Sequence, residues 1–145
     1  MPALLDQARA TLRVLLVDDH QILRQVLELA LDAEPDLLVV GASPDAESAL
    51  TAVADLRPDV VLMDLDLPGM DGIEATRQLT LRHPHVRVAV LTGACTRGLV
   101  VAALEAGARG YLLKEDPLDH LLASIRAVGE GRRPIAAAAR ALLEG

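Results

Sequence analysis

Short apolar runs punctuate the chain at Leu12 to Val17, Leu37 to Ala42, Val60 to Met63, Val86 to Leu91 and Gly110 to Leu113. Most are apolar at nearly every position, not at alternate ones, which predicts strands buried on both faces. Between them lie longer segments in which apolar residues recur with a helical period. Alternation of the two patterns predicts a parallel sheet wrapped by helices.

The helical segments carry their own start and stop signals. Ile22, Leu23, Val26, Leu27 and Ala30 form one stripe, which Pro35 ends. Ser43 with Pro44 reads as an N-cap and first-turn proline for a second helix with the stripe Ala46, Ala49, Leu50 and Val53. A third helix is expected from about Gly72 to Arg82, with Asp71 as its cap, and a fourth from about Thr96 to Ala106, stopped by Gly107. A fifth starts at Pro117 and repeats Leu118, Leu121, Leu122, Ile125 and Val128. Beyond Gly129 the text changes to GEGRRPIAAAARALLEG, a Gly-rich break and a short Ala-rich helix, which reads as a linker.

Composition narrows the class. With 145 residues, 52% of them hydrophobic, a single core is the default. That core is aliphatic, because Phe and Trp are absent and Tyr111 is the lone aromatic. A net charge of -7 disfavours a phosphate backbone as direct partner, and no aromatic series is available to stack on bases. The single Cys95 excludes an internal disulfide and reads as an apolar filler. The opening MPALLDQARATLR lacks a signal-peptide layout and no apolar run could cross a bilayer, so a soluble, cytoplasmic protein without membrane contact is expected.

The candidate chemistry sits where the apolar runs stop. Asp18 and Asp19 follow the first strand, Asp64 the third, Thr92 the fourth and Lys114 the fifth. In an open α/β sheet ligands bind outside the C-terminal strand ends, near the point where strand order reverses. Carboxylates gathered there repel one another unless a cation lies between them, and Mg2+ suits an oxygen-rich site of this kind. Asp64 is then placed to attack a phosphoryl group, with Lys114 balancing charge and the Thr92 hydroxyl donating a hydrogen bond. Taken singly these residues have blander readings: Asp18-Asp19 as a helix cap, Thr92 as a strand end, Tyr111 as core filler, Lys114 paired with Glu115 or Asp116. His20, His83, His85 and His120 show no ligand spacing and read as surface or capping residues.

Four segments in order, VLLVDDH, VVLMDLDLPGMDG, VAVLTGA and GARGYLLKE, resemble a response-regulator receiver domain from about Thr11 to Glu130. Their wording is most similar to the NarL/FixJ type, in which a receiver precedes a helix-turn-helix DNA-binding domain. The resemblance implies a flavodoxin-like (βα)5 fold, a doubly wound five-stranded parallel sheet of order 2-1-3-4-5 in three layers. It divides the chain into a receiver at 11–130 and a linker helix at 131–145 leading to an output domain. It implies Asp64 as phosphoacceptor for a sensor histidine kinase and Asp19 as direct Mg2+ ligand. Asp18 would act through water and Asp66 through its backbone carbonyl. Thr92 becomes the switch hydroxyl, Tyr111 the switch aromatic that rotates inward, and Lys114 the phosphoryl contact. A homodimer on phosphorylation is implied, with DNA reached only through the output domain.

On this reading the chain is a signalling phosphoacceptor and not an enzyme beyond its own phosphoryl transfer and loss. Departures are the stretch TGACTRG after the switch threonine, Glu115 where proline is usual after the lysine, and the additional acid Asp66. Three other readings compete, one of them a degenerate receiver that is never phosphorylated, against which the presence of every required side chain argues. A stand-alone adaptor or phosphorelay protein would lack the output half, against which the linker-like ending argues. A haloacid-dehalogenase-type phosphatase shares the Asp64-Leu65-Asp66 opening but expects Thr or Val where Pro68 stands, and leaves Asp18-Asp19 unexplained.

Overall fold

The computed structural model describes residues 11–144. Five strands, β1 (Leu12–Val17), β2 (Leu37–Ser43), β3 (Val60–Met63), β4 (Arg87–Thr92) and β5 (Gly110–Leu113), alternate with helices α1 (Gln21–Asp32), α2 (Ala46–Leu56), α3 (Gly72–Arg82), α4 (Arg97–Glu105) and α5 (Leu118–Gly129). A sixth helix, α6 (Ala137–Glu144), closes the described chain. The strands form one parallel sheet of order β2-β1-β3-β4-β5, as the resemblance implies.

Period-2 alternation within buried strands divides the core between the two faces of the sheet. Val14 and Leu16 point to one side with Leu62, Ala89, Leu91 and Leu112, where α1 and α5 cover them through Leu27, Leu31, Leu121, Ile125 and Val128. Leu15, Val17, Val61, Met63 and Val88 point to the other, under α2 and α3. Val90, Tyr111 and Leu113 continue that second layer toward α4 and α6. Burying each such Leu or Val side chain is worth roughly 1.5–3 kcal/mol, which is how a core without Phe or Trp is sustained.

Local signals mostly act as the sequence suggests. Asp71 caps α3, its carboxylate accepting from Glu74 N–H at 2.8 Å. Thr96 caps α4, and Gly107 follows that helix at φ +109°. The start of α2 differs from expectation. Ser43 is the last residue of β2 and Asp45 is the cap, accepting from Ser48 N–H at 2.8 Å. Ser43 is held in the sheet region because its carbonyl accepts from Asp18 N–H at 3.0 Å. The α1 stripe also differs. Leu27 and Leu31 are buried, whereas Ile22, Val26 and Leu29 are 78%, 52% and 76% exposed. This helix is apolar on more than one side, so periodicity alone could not choose the buried face.

Register positions the chemistry. Val17 pairs with Met63 and Thr92 with Leu113, so the chain leaves β1, β3 and β5 along one edge. Asp64 N–H continues the ladder to Val17 O at 2.9 Å, and Lys114 N–H continues it to Thr92 O at 3.0 Å.

Candidate functional site

Four of the predicted side chains meet at that edge. Asp64, 2% exposed, and Asp18, 5% exposed, are fixed by the last rungs of the sheet. Lys114 reaches across from β5 and sets its ammonium 2.9 Å from Asp18 Oδ2 and 3.0 Å from Asp64 Oδ2. Asp19 is more exposed, yet a carboxylate oxygen of it lies within 4.8 Å of ligand atoms of Asp18 and Asp64. Asp66 lies beside the pocket and donates its backbone N–H to Asp64 Oδ1 at 3.3 Å.

Thr92 and Tyr111 lie one step further back. Thr92 is buried at the end of β4, and its hydroxyl oxygen accepts from Ala94 N–H at 3.1 Å. Tyr111 is fully buried and donates its hydroxyl to the Ala94 carbonyl at 2.7 Å. The inward ring position is therefore already present in this structure. Both side chains grip one residue of the β4–α4 loop.

His20 is exposed and stands at a helix start, as a surface or capping histidine should, and its ring also faces the pocket. It occupies the N-cap position of α1 without a side-chain capping bond. Its ring nitrogen Nδ1 instead lies 2.9 Å from Asp18, 3.4 Å from Asp19, 3.8 Å from Asp64 and 3.2 Å from Lys114. Direct adjacency to Asp18-Asp19 is the signal that spacing rules for metal ligands pass over. Sequence reasoning also misses Arg24, which donates to the Asp18 carbonyl at 2.7 Å and braces the loop.

The electrostatics follow from three carboxylates facing one ammonium. Burial pushes the Asp64 carboxyl above its ordinary range and the Asp18 charge adds to this, against the pull of Lys114. Burial acts on Asp18 the same way, but hydrogen bonds from the His20 backbone and from Lys114 outweigh it and hold Asp18 low. Burial works against the Lys114 charge too, and its two carboxylate partners more than offset that, leaving its pKa raised. Negative charge is left over, on clustered oxygen donors that reach solvent through Asp19. A hard divalent cation such as Mg2+ fits this donor set.

The chain resembles known proteins in sequence and in fold. The model of the response regulator receiver domain matches residues 14–126. The chain is 39% identical over 120 residues to the transcriptional regulatory protein DegU of Brevibacillus brevis, covering 83% of this chain and 51% of that protein. It is 41% identical over 120 residues to LiaR of Bacillus subtilis strain 168, covering 83% and 57%. Among solved structures, a LuxR-family two-component response regulator from Aurantimonas sp. SI85-9A1 superposes with a TM-score of 0.88 at 35% identity, over 92% of this chain and 96% of that one. The chain spans little more than half the length of these curated relatives.

Proposed function

The chain belongs to the response-regulator receiver family, and from that premise we propose that it accepts a phosphoryl group on Asp64 from a sensor histidine kinase. The observation that carries this reading is the buried Asp64 carboxylate at a strand end, with the Lys114 ammonium 3.0 Å away. A carboxylate oxygen of Asp64 forms the new O–P bond as the P–N bond to the donor histidine breaks, and the electron pair leaves with the donor. Lys114 balances charge on the transferred oxygens. Asp18, Asp19, Asp64 and the Asp66 backbone carbonyl are the residues that would hold Mg2+, with Asp19 as direct ligand and Asp18 through water. The cation supplies charge neutralisation for the transfer.

The new phosphoryl, carrying roughly -1.5 to -2 charges, draws the Thr92 hydroxyl away from Ala94. Tyr111 is then favoured in its buried position. The family match speaks for a receiver, a signalling protein, over a haloacid-dehalogenase-type phosphatase. The exposed apolar residues Ile22 and Val26 line a groove of about 390 Å³ that ends at His20 and Lys114. We place the docking of a phosphodonor protein on this groove, beside the Lys114 that contacts Asp64.

The proposal extends to the whole protein. The curated relatives include transcriptional regulatory proteins, and one solved neighbour shows two RcsB dimers bound to two parallel DNAs. We therefore read residues 11–130 as the receiver and 131–145 as the link to a DNA-binding output domain, with dimerisation following phosphorylation. A cytoplasmic place fits this role, and no described helix is long and apolar enough to cross a membrane. Incubation with acetyl phosphate and Mg2+ tests the core claim. The intact protein should gain the mass of one phosphoryl group and Asp64→Ala should gain none; no gain on the unaltered protein overturns it.

A further inference from the structure

The segment after α5 does not leave the domain. Tyr111 N–H donates to the Pro134 carbonyl at 3.0 Å, and Ala136 N–H donates to the Tyr111 carbonyl at 2.8 Å. Both backbone groups of Tyr111 are thus engaged by residues 134–136, which pair with β5 as a short parallel extension of the sheet. From there α6 turns onto α4. Ala139 is fully buried in the same cluster as Tyr111, Val100 and Ala103, and Ile135, Ala136 and Leu143 pack around it.

We propose that residues 134–144 form a strap that latches Tyr111 in its buried position, so that strap docking and phosphorylation of Asp64 favour one another. This rests on the receiver reading above. The physical path is continuous: Thr92 and Tyr111 both hold Ala94, at 3.1 and 2.7 Å, and Tyr111 is paired with the strap on its other side. A ring that swings outward loses the Ala94 bond and disturbs the surface on which Ile135 and Ala139 rest. The strap binds one arrangement of Tyr111 and not the other, which is the differential affinity a population shift requires. Linkage then demands reciprocity, so the docked strap must tighten phosphoryl binding by the factor with which the phosphoryl tightens the strap. Any domain joined beyond α6 is thereby connected to the strap by continuous backbone.

The test uses the whole chain with beryllofluoride and Mg2+ as the phosphoryl mimic. Ala139→Glu places a charge in the buried seat of α6 and releases the strap. The variant should bind beryllofluoride at least about fivefold more weakly than the unaltered chain, the lower end of usual coupling strengths. Hydrogen exchange supplies the second measurement: beryllofluoride should slow exchange at the Tyr111 and Ala136 amides of the unaltered chain. In Ala139→Glu these amides should exchange faster while those of β1 and β3 stay protected, which separates strap release from global unfolding. Equal or tighter beryllofluoride binding by Ala139→Glu overturns the latch, as does unchanged exchange at Ala136. If the unaltered chain binds no beryllofluoride, the receiver reading itself has failed.

Discussion

Gly72 lies directly beneath the backbone of Asp64. A Cβ on Gly72 would stand 2.1 Å from the Asp64 carbonyl oxygen and 2.8 Å from Leu65 Cα. The contact is backbone against backbone, with Gly72 N–H donating to the Leu65 carbonyl at 3.3 Å, so no side chain can swing away to make room. The start of α3 is thereby the floor on which the phosphoacceptor loop rests.

Gly72→Ala should therefore displace the Asp64–Leu65 segment or unseat α3. A loss of about 2–3 kcal/mol is expected from such overpacking, together with loss of beryllofluoride binding. Gly98 is the control, because a Cβ there meets nothing within 4 Å. Gly98→Ala, inside α4, should be neutral or stabilising by about 0.5–1 kcal/mol through helix propensity. Urea denaturation of both variants checks the pair. Equal stability for the two would show that the close approach is not felt.

The raised Asp64 carboxyl makes a prediction about pH. Folded Asp64 binds its proton more tightly than the unfolded chain does, because burial and the Asp18 charge disfavour the anion. Stability must then fall as pH rises from the ordinary carboxylate value of 3.8 through the raised folded value. Asp64→Asn removes that cost, so in chelator it should melt a few degrees above the unaltered protein at neutral pH. The gap should close in acid, where Asp64 is protonated in both states, and narrow when Mg2+ is added. Thermal melts across that range check the sign; a variant less stable than the parent at neutral pH would refute it.

Lys114 predicts the opposite behaviour. Its side chain is 17% exposed and its ammonium holds the carboxylates of Asp18 and Asp64, whose side chains are 6% and 2% exposed, so Lys114→Met leaves buried charge without a counterion. After discounting for the partial exposure, a loss of about 1–3 kcal/mol in chelator is expected. Asp18 loses a cause of its low pKa as well, which weakens the stability it contributes above the ordinary carboxylate range. Added Mg2+ should restore much of the loss, because a cation bound among Asp18, Asp19 and Asp64 takes over the compensation. Denaturation with and without Mg2+ measures this, and a loss that Mg2+ leaves untouched would count against a cation site.

The strand ends are legible in the sequence because apolar runs buried on both faces must stop somewhere, and Asp18, Asp64 and Lys114 stand at the stops. Parallel order then brings them together without further information. The edges of elements are less legible. The apolar pattern puts Val86 in the fourth strand and Thr92 after it, whereas β4 runs from Arg87 to Thr92. The exposed side of α1 is hidden because Ile22, Val26 and Leu29 are as apolar as Leu27 and Leu31. His20 is passed over by ligand-spacing rules, although its place next to Asp18-Asp19 marks it. The docking of residues 134–136 on Tyr111 has no periodic signature at all; it is made through backbone groups, which every sequence shares.

Tyr111 offers a spectroscopic check on the arrangement behind the pocket, because it is the only aromatic residue and its absorbance is unobscured by Trp or other Tyr. Burial raises its phenol pKa to about 12 from the ordinary 10.0, and the electrostatic influence of Cys95 acts in the same direction. The hydroxyl donates to Ala94 O at 2.7 Å, and that bond is lost with the proton. Folded Tyr111 holds its proton more tightly than unfolded Tyr111, so stability should decline as pH climbs from 10.0 toward 12. Ultraviolet titration should show tyrosinate appearing well above the ordinary value, and far-ultraviolet circular dichroism followed in parallel should show structure lost no later than the tyrosinate forms. Tyr111→Phe removes the hydroxyl and strands the Ala94 carbonyl, costing about 1–2 kcal/mol while leaving the Asp64 pocket intact. Its phosphoryl uptake from acetyl phosphate should persist, and the β4–α4 loop should exchange faster. Tyrosinate forming near the ordinary value while the fold persists would place the ring in solvent, and the grip of Tyr111 on Ala94 would have to be abandoned.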